Sequence, residues 1–250
     1  MNVKDGDPRK NWATVQELVA EAARRGSDLI VLPELWDNGY MLDRAKDFAS
    51  ALAGGLFAQV AALARSQKIH ILGSMLEKRG IGVYNCCAVF TPGSGVTGAY
   101  RKIHLFDGMQ ESQYISPGEA PLTSDFPWGP TSIAICYDLR FPELMRRYAV
   151  DGSRMLVIPA QWPAPRINHW RTLLQARAIE NQMFVVACNR VGEYGNNMFP
   201  GQSMIIDPLG NTVLELGDTE TMATVKINTD RVAEVRASFP VLQDRRPSSY

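Results

Sequence analysis

Four side chains of this 250-residue chain carry groups that could do chemistry, a thiol, two carboxylates and an ammonium, and none is specific taken alone. Cys136 closes the apolar run Ile133-Ala134-Ile135 and is followed by the polar Tyr137, Asp138 and Arg140. Buried cysteines are usually inert small hydrophobes. One at a strand-to-helix junction differs, because free backbone N–H groups and the helix dipole can favour its thiolate. Glu34 follows Leu29-Ile30-Val31-Leu32-Pro33, and Lys102 stands in Tyr100-Arg101-Lys102-Ile103-His104-Leu105-Phe106, after another expected strand. Glu111 lies in the loop sequence Met109-Gln110-Glu111-Ser112. A thiol beside a carboxylate is a nucleophile with its base, and an ammonium is a ready partner for a developing oxyanion. Taken singly, each charged residue also reads as a solvated loop group. Cys86, Cys87 and Cys188 fall inside apolar strand patterns and read as packing residues. His104 and His169 leave a Cys–His pair open, although His169 opens the helical pattern Trp170, Leu173, Leu174 and reads as structural.

Positioning such groups requires elements that end at a common place. Asp7-Pro8 predicts a capped helix start, with Trp12, Val15, Leu18, Val19 and Ala22 on one face and Gly26 as its stop. Short apolar runs predict strands at 29–32, 69–73, 84–90, 98–101, 131–136, 155–159 and 183–188, with later ones at 203–207, 213–216 and 223–227. Helices are expected around 56–66, from Pro142 and over 167–181. Strands alternating with helices predict an α/β layered fold, and in such folds sites gather beyond the carboxyl ends of strands. The segment Pro159-Ala160-Gln161-Trp162 brings an amide and an indole to one such end. No repeat or linker divides the chain, so 1–250 is read as a single domain.

Composition narrows the function classes. Lys plus Arg number 26, as do Asp plus Glu, which gives no electrostatic reason to expect nucleic acid or an anionic membrane as partner. No apolar run approaches the roughly 20 residues of a membrane span. The N-terminus lacks a secretory leader's apolar stretch, and the four cysteines show no CxxC spacing, so a reducing cytoplasm is expected. The histidines lack ligand spacing, so no metal is expected. There is no GxSxG elbow and no GxxxxGK[ST] loop, which removes the serine α/β-hydrolase and P-loop nucleotide-binding readings.

Taken in order, Leu-Pro-Glu34, Tyr-Arg-Lys102-Ile-His-Leu-Phe, Cys136-Tyr-Asp-Leu-Arg-Phe-Pro-Glu and Gln-Ala-Arg-Ala-Ile-Glu180-Asn-Gln resemble the nitrilase (carbon-nitrogen hydrolase) superfamily. The resemblance runs from about Asp7 to the Phe239–Pro247 tail. Within it, Gln161-Trp162-Pro163 through Arg166, His169-Trp170-Arg171 and Val185 to Arg190 look most like omega-amidases, including 2-oxoglutaramate amidases. The resemblance implies a four-layer αββα sandwich, usually a homodimer or larger, with a first strand shortened or missing before the segment Met1 to Pro8. It implies Glu34 as general base, Lys102 as catalytic lysine, Cys136 as nucleophile and Glu111 as the second glutamate beside the lysine. The Tyr137 backbone N–H becomes a candidate oxyanion donor. Arg166 is a candidate for a substrate carboxylate, and Tyr40 and Trp162 are candidate pocket walls. No cofactor is needed for such a thioester route to acid and ammonia from a small amide. Two alternatives keep the machinery, an N-carbamoyl amino acid hydrolase and a general aliphatic amidase, and a third is a non-catalytic scaffold subunit. Ammonia release from a substrate panel separates the first three, and an acyl adduct on Cys136 excludes the last.

Overall fold

A computed structural model describes residues 1–249. The chain enters helix α1 (Pro8–Arg24) through the expected cap: Asp7 accepts the Lys10 N–H at 3.1 Å, and Gly26 follows the helix at φ +74°. Its buried face, Val15, Val19 and Ala22, packs over the first sheet. That sheet contains β1 (Leu29–Val31), β2 (His70–Leu72), β3 (Ser74–Arg79), β4 (Gly82–Thr91) and β5 (Gly95–Arg101). β1 and β2 run parallel, whereas β3 and β5 pair antiparallel to the long central β4. The short α2 (Ala45–Phe48) lies near β3, and α3 (Gly55–Gln67) covers β4 and β5 beside α1.

After α4 (Glu111–Tyr114) the chain builds a second sheet from β6 (Leu122–Phe126), β7 (Gly129–Ile133), β8 (Met155–Ala160) and β9 (Phe184–Asn189). A hairpin, β10 (Val191–Tyr194) with β11 (Asn197–Pro200), intervenes before β12 (Met204–Ile206) and β13 (Thr212–Glu215). β7, β8 and β9 are parallel, and α5 (Pro142–Val150) and α6 (Ile167–Asn181) supply their crossovers and cover the outer face. α7 (Arg231–Ser238) follows. Leu72, Cys87, Val89 and Tyr100 of the first sheet share one core with Ile133, Leu156, Val157 and Ile158 of the second. The architecture is the expected αββα sandwich, its two sheets face to face between helical layers.

Local expectations need correction in four places. The strand expected over 131–136 ends at Ile133, and Cys136 instead begins the 3-10 turn Cys136–Arg140 at φ +45°. β3, at 74–79, and the β10–β11 hairpin carry too much polarity to show as apolar runs. Ala223–Ile227 is not a strand. It borders a cavity of about 650 Å³ lined also by β1, α1 residues, β9 and β12, and it has no ladder partner among the described residues. Ahead of α1, Asn2 makes a single parallel bridge to Val191, and the Val191 N–H donates to the Met1 carbonyl at 3.1 Å.

Candidate active site

The carboxyl ends of β1, β5, β7 and β8 meet at one place, and each delivers a polar residue there. Glu34 follows β1 through Pro33, Lys102 is the first residue after β5, and Gln161 the first after β8. Cys136 stands three residues past β7. Glu34, Lys102 and Glu111 are almost entirely buried. The Lys102 Nζ donates to Glu34 Oε1 at 2.8 Å and to Glu111 Oε1 at 2.7 Å, so one ammonium bridges two carboxylates without water contact.

Each carboxylate is held by further donors. Asn85, at the centre of β4, donates its side-chain amide to Glu34 Oε1 at 2.8 Å, and the Gln161 backbone N–H donates to Glu34 Oε2 at 3.0 Å. The Gln161 side-chain amide donates to the Glu34 carbonyl at 2.6 Å, fixing the backbone that carries the carboxylate. Glu111 Oε1 accepts the Tyr40 hydroxyl at 2.9 Å, and its Oε2 accepts the Phe106 N–H at 2.9 Å. Two carboxylates and one ammonium leave a net negative site inside a low-dielectric body, where charge is costly unless paired.

That balance sets the titration directions. Burial opposes the Lys102 charge, but the facing Glu111 and Glu34 carboxylates outweigh it and hold the ammonium well above the ordinary lysine range. Burial pushes Glu111 up, against the pull of Lys102. Burial also pushes the Cys136 thiol well up; Glu34 adds to this, while Lys102 and a hydrogen bond with the Gln161 backbone work against it. Cys136 therefore rests as a thiol hydrogen-bonded toward Glu34, not as the helix-stabilised thiolate its strand-to-helix setting suggests. Its left-handed φ is unusual for a residue with a Cβ and aims the side chain out of the strand line.

Tyr137 lies in the first turn of its 3-10 segment, where backbone N–H groups have no partner within the helix. Beside Cys136 a cavity of about 20 Å³ is walled by Phe106, Tyr137, Arg140, Gln161, Trp162, Pro163 and Arg166. That is room for about one water. Trp162 borders this cavity, and its indole N–H donates to the Arg166 carbonyl at 2.7 Å. Arg166 is at the mouth, its guanidinium 5.4 Å from the Phe106 ring centroid. Tyr40 is not a wall here; its hydroxyl is committed to Glu111. Arg140, singled out in the sequence only as a polar neighbour, shares the mouth with its guanidinium 4.7 Å above the Trp162 ring. Neither histidine pairs with Cys136: His104 is bonded to Asp138, and the exposed His169 meets Arg140 at 3.4 Å. Among the described residues no group of three or more His, Cys, Asp or Glu side chains is arranged to hold a metal ion.

A sandwich that gathers a buried carboxylate, ammonium and thiol at converging strand ends defines a class of hydrolase, and the comparisons name it. The carbon-nitrogen hydrolase profile matches residues 1–237, and the chain belongs to that family. It is similar to the 2-oxoglutaramate amidase of Bacillus subtilis (strain 168), with 37% identity over 250 residues, covering 100% of this chain and 96% of the relative. Its fold matches XC1258 of Xanthomonas campestris, a CN-hydrolase superfamily protein with an arsenic adduct in its active site. The TM-score is 0.92 at 32% identity, covering 98% of this chain and 94% of the other. An amidase variant from Nesterenkonia sp. AN1, solved with acrylamide added to its active-site cysteine, matches with TM-score 0.87 at 25% identity, covering 99% and 94%.

Proposed function

We propose that this chain is an omega-amidase, hydrolysing 2-oxoglutaramate or a similar short amide that carries a distant carboxylate. The observation that carries the reading is the Lys102 bridge between Glu34 and Glu111, closed over a Cys136 thiol, with two guanidinium groups at the mouth. The 2-oxoglutaramate amidase and the cysteine adduct among the relatives support it.

In this reading the Cys136 proton passes to Glu34 as sulfur attacks the amide carbon, because the resting group is the thiol. The carbonyl oxygen takes up negative charge facing the Lys102 ammonium and the Tyr137 N–H; one such donor is worth about 3 kcal/mol. Protonated Glu34 then gives its proton to the departing nitrogen, the C–N bond breaks, and ammonia leaves an acyl thioester on Cys136. Glu34 next takes a proton from water, whose oxygen attacks the thioester carbon, and the acid departs as sulfur regains a proton. Glu111 keeps Lys102 charged and aimed throughout, with Tyr40 steadying Glu111. Arg166 and Arg140 meet the substrate carboxylate, Arg166 by swinging off Phe106, and their planar donors suit bidentate pairing. A homodimer or larger body in the cytoplasm completes the proposal.

Ammonia release tests it directly. Wild type is expected to turn over 2-oxoglutaramate and related omega-amides, and Cys136→Ala none. Mass spectrometry after brief exposure should find an acyl adduct on Cys136. Cleavage of N-carbamoyl amino acids or simple aliphatic amides, with no omega-amide accepted, would replace the substrate assignment. Turnover by Cys136→Ala would overturn the mechanism.

A further inference from the structure

Asp138, two residues past the nucleophile, is fully buried, and both its oxygens are doubly engaged. Oδ2 accepts the Ile135 N–H at 2.9 Å and the Tyr100 hydroxyl at 2.7 Å. Oδ1 accepts the His104 backbone N–H at 3.0 Å and meets His104 Nδ1 at 2.8 Å. A carboxylate offers only acceptors, so Nδ1 is the protonated ring nitrogen. The His104 ring also stacks on Phe141, centroids 3.6 Å apart and planes 8° from parallel.

These partners come from two places only. Ile135 and Phe141 bracket the turn holding Cys136 at its strained φ. Tyr100 and His104 stand two residues to either side of Lys102. Asp138 is thus a knot between the backbone that aims the thiol and the backbone that aims the ammonium. We propose that His104, acting through Asp138, is a positioning residue that sets the Cys136–Lys102 geometry for attack. The proposal rests on the acyl-transfer reading of the site but not on the identity of the amide. His104 touches neither Cys136 nor Lys102 by side-chain hydrogen bond, and its ring is partly exposed, with 28% of the side chain accessible. It can be replaced without opening the core, which Asp138 cannot.

The test uses His104→Ala and His104→Asn in the full chain, because the asparagine amide nitrogen falls near the place of Nδ1 and keeps the donor to Asp138. A misplacement of about 1 Å at reacting groups can cost on the order of 100-fold in rate. His104→Ala is expected to lower kcat about 10- to 100-fold with KM within about 2-fold of wild type, and His104→Asn to recover most of the loss. Cys136 alkylation by iodoacetamide should follow the same order, which reads the geometry even if no omega-amide is a substrate. Wild-type kcat and alkylation rate in His104→Ala would overturn the proposal. So would a His104→Asn variant no faster than His104→Ala, or losses in His104→Ala that only mirror the fraction unfolded.

Discussion

Lys102 carries the positive charge that bridges Glu34 and Glu111, and its value is clearest when it is removed. Lys102→Met would leave Glu34 and Glu111 facing each other in a dry interior, and breaking a buried pair this way costs about 3–5 kcal/mol. Urea denaturation is expected to report a loss of that order together with no measurable turnover. Adding Glu111→Gln should restore much of the stability and none of the activity, since it removes one of the two uncompensated charges. Glu34, Lys102 and Cys136 could be picked out because each stands at or just past a strand end in a run that resembles the family, whereas Glu111, in an ordinary loop, was named only by the resemblance. The contacts of Asn85 and Tyr40 were not legible. Asn85 interrupts a strand and meets a carboxylate 51 residues away, and the Tyr40 hydroxyl meets one 71 residues away. Such pairings leave no periodicity. The turn's N–H groups that can favour a thiolate are local and visible in the sequence, whereas the burial and the Glu34 charge that raise the thiol are tertiary.

At the scale of elements, apolar patterning recovered what packs on the core. α6 was legible over its whole length because Trp170, Leu174 and Ala178 recur on its one buried face, and β1, β8 and β9 were legible to within a residue or two as short apolar runs. β3 and the β10–β11 hairpin were not, since their outer positions are polar and exposed. Ala223–Ile227 has strand composition but no neighbouring backbone to pair with, and composition alone cannot supply one. How tightly β5 is held at its exit can be tested at Gly118. The Gly118 N–H donates to the Lys102 carbonyl at 2.8 Å, and a Cβ there would lie 2.1 Å from the Arg101 carbonyl oxygen. Gly118→Ala must displace the backbone that carries Lys102, so kcat is expected to fall at least about 10-fold. Gly93→Ala, where an added Cβ meets nothing within 4 Å, serves as the neutral control in the same assay.

For the molecule as a whole, stability is coupled to pH through a residue outside the reaction. Asp37 is buried with one oxygen unpartnered, and burial raises its pKa to about 7, against small opposing effects of backbone N–H groups led by Leu76. Unfolded, it titrates near 4. The folded state therefore binds the proton more tightly, and the stabilisation is fully present below about pH 4 and lost as pH rises through about 7. The span of three units corresponds to a contribution on the order of 4 kcal/mol. Asp37→Asn, neutral throughout, is expected to flatten the urea midpoint between pH 5 and pH 8 and to exceed wild type at pH 8. A wild-type midpoint that rises with pH relative to the variant would contradict this.

Glu34 hangs from a strand only three residues long, laddered to β2 along one edge and bordered on the other by the large cavity. Its anchorage is lopsided, in contrast to Gln161, whose strand lies between two neighbours in the middle of its sheet. On warming, amide exchange at residues 29–31 is expected to rise before exchange at 155–160, while Asn85 and Gln161 keep the Glu34 carboxylate in place until the core itself opens.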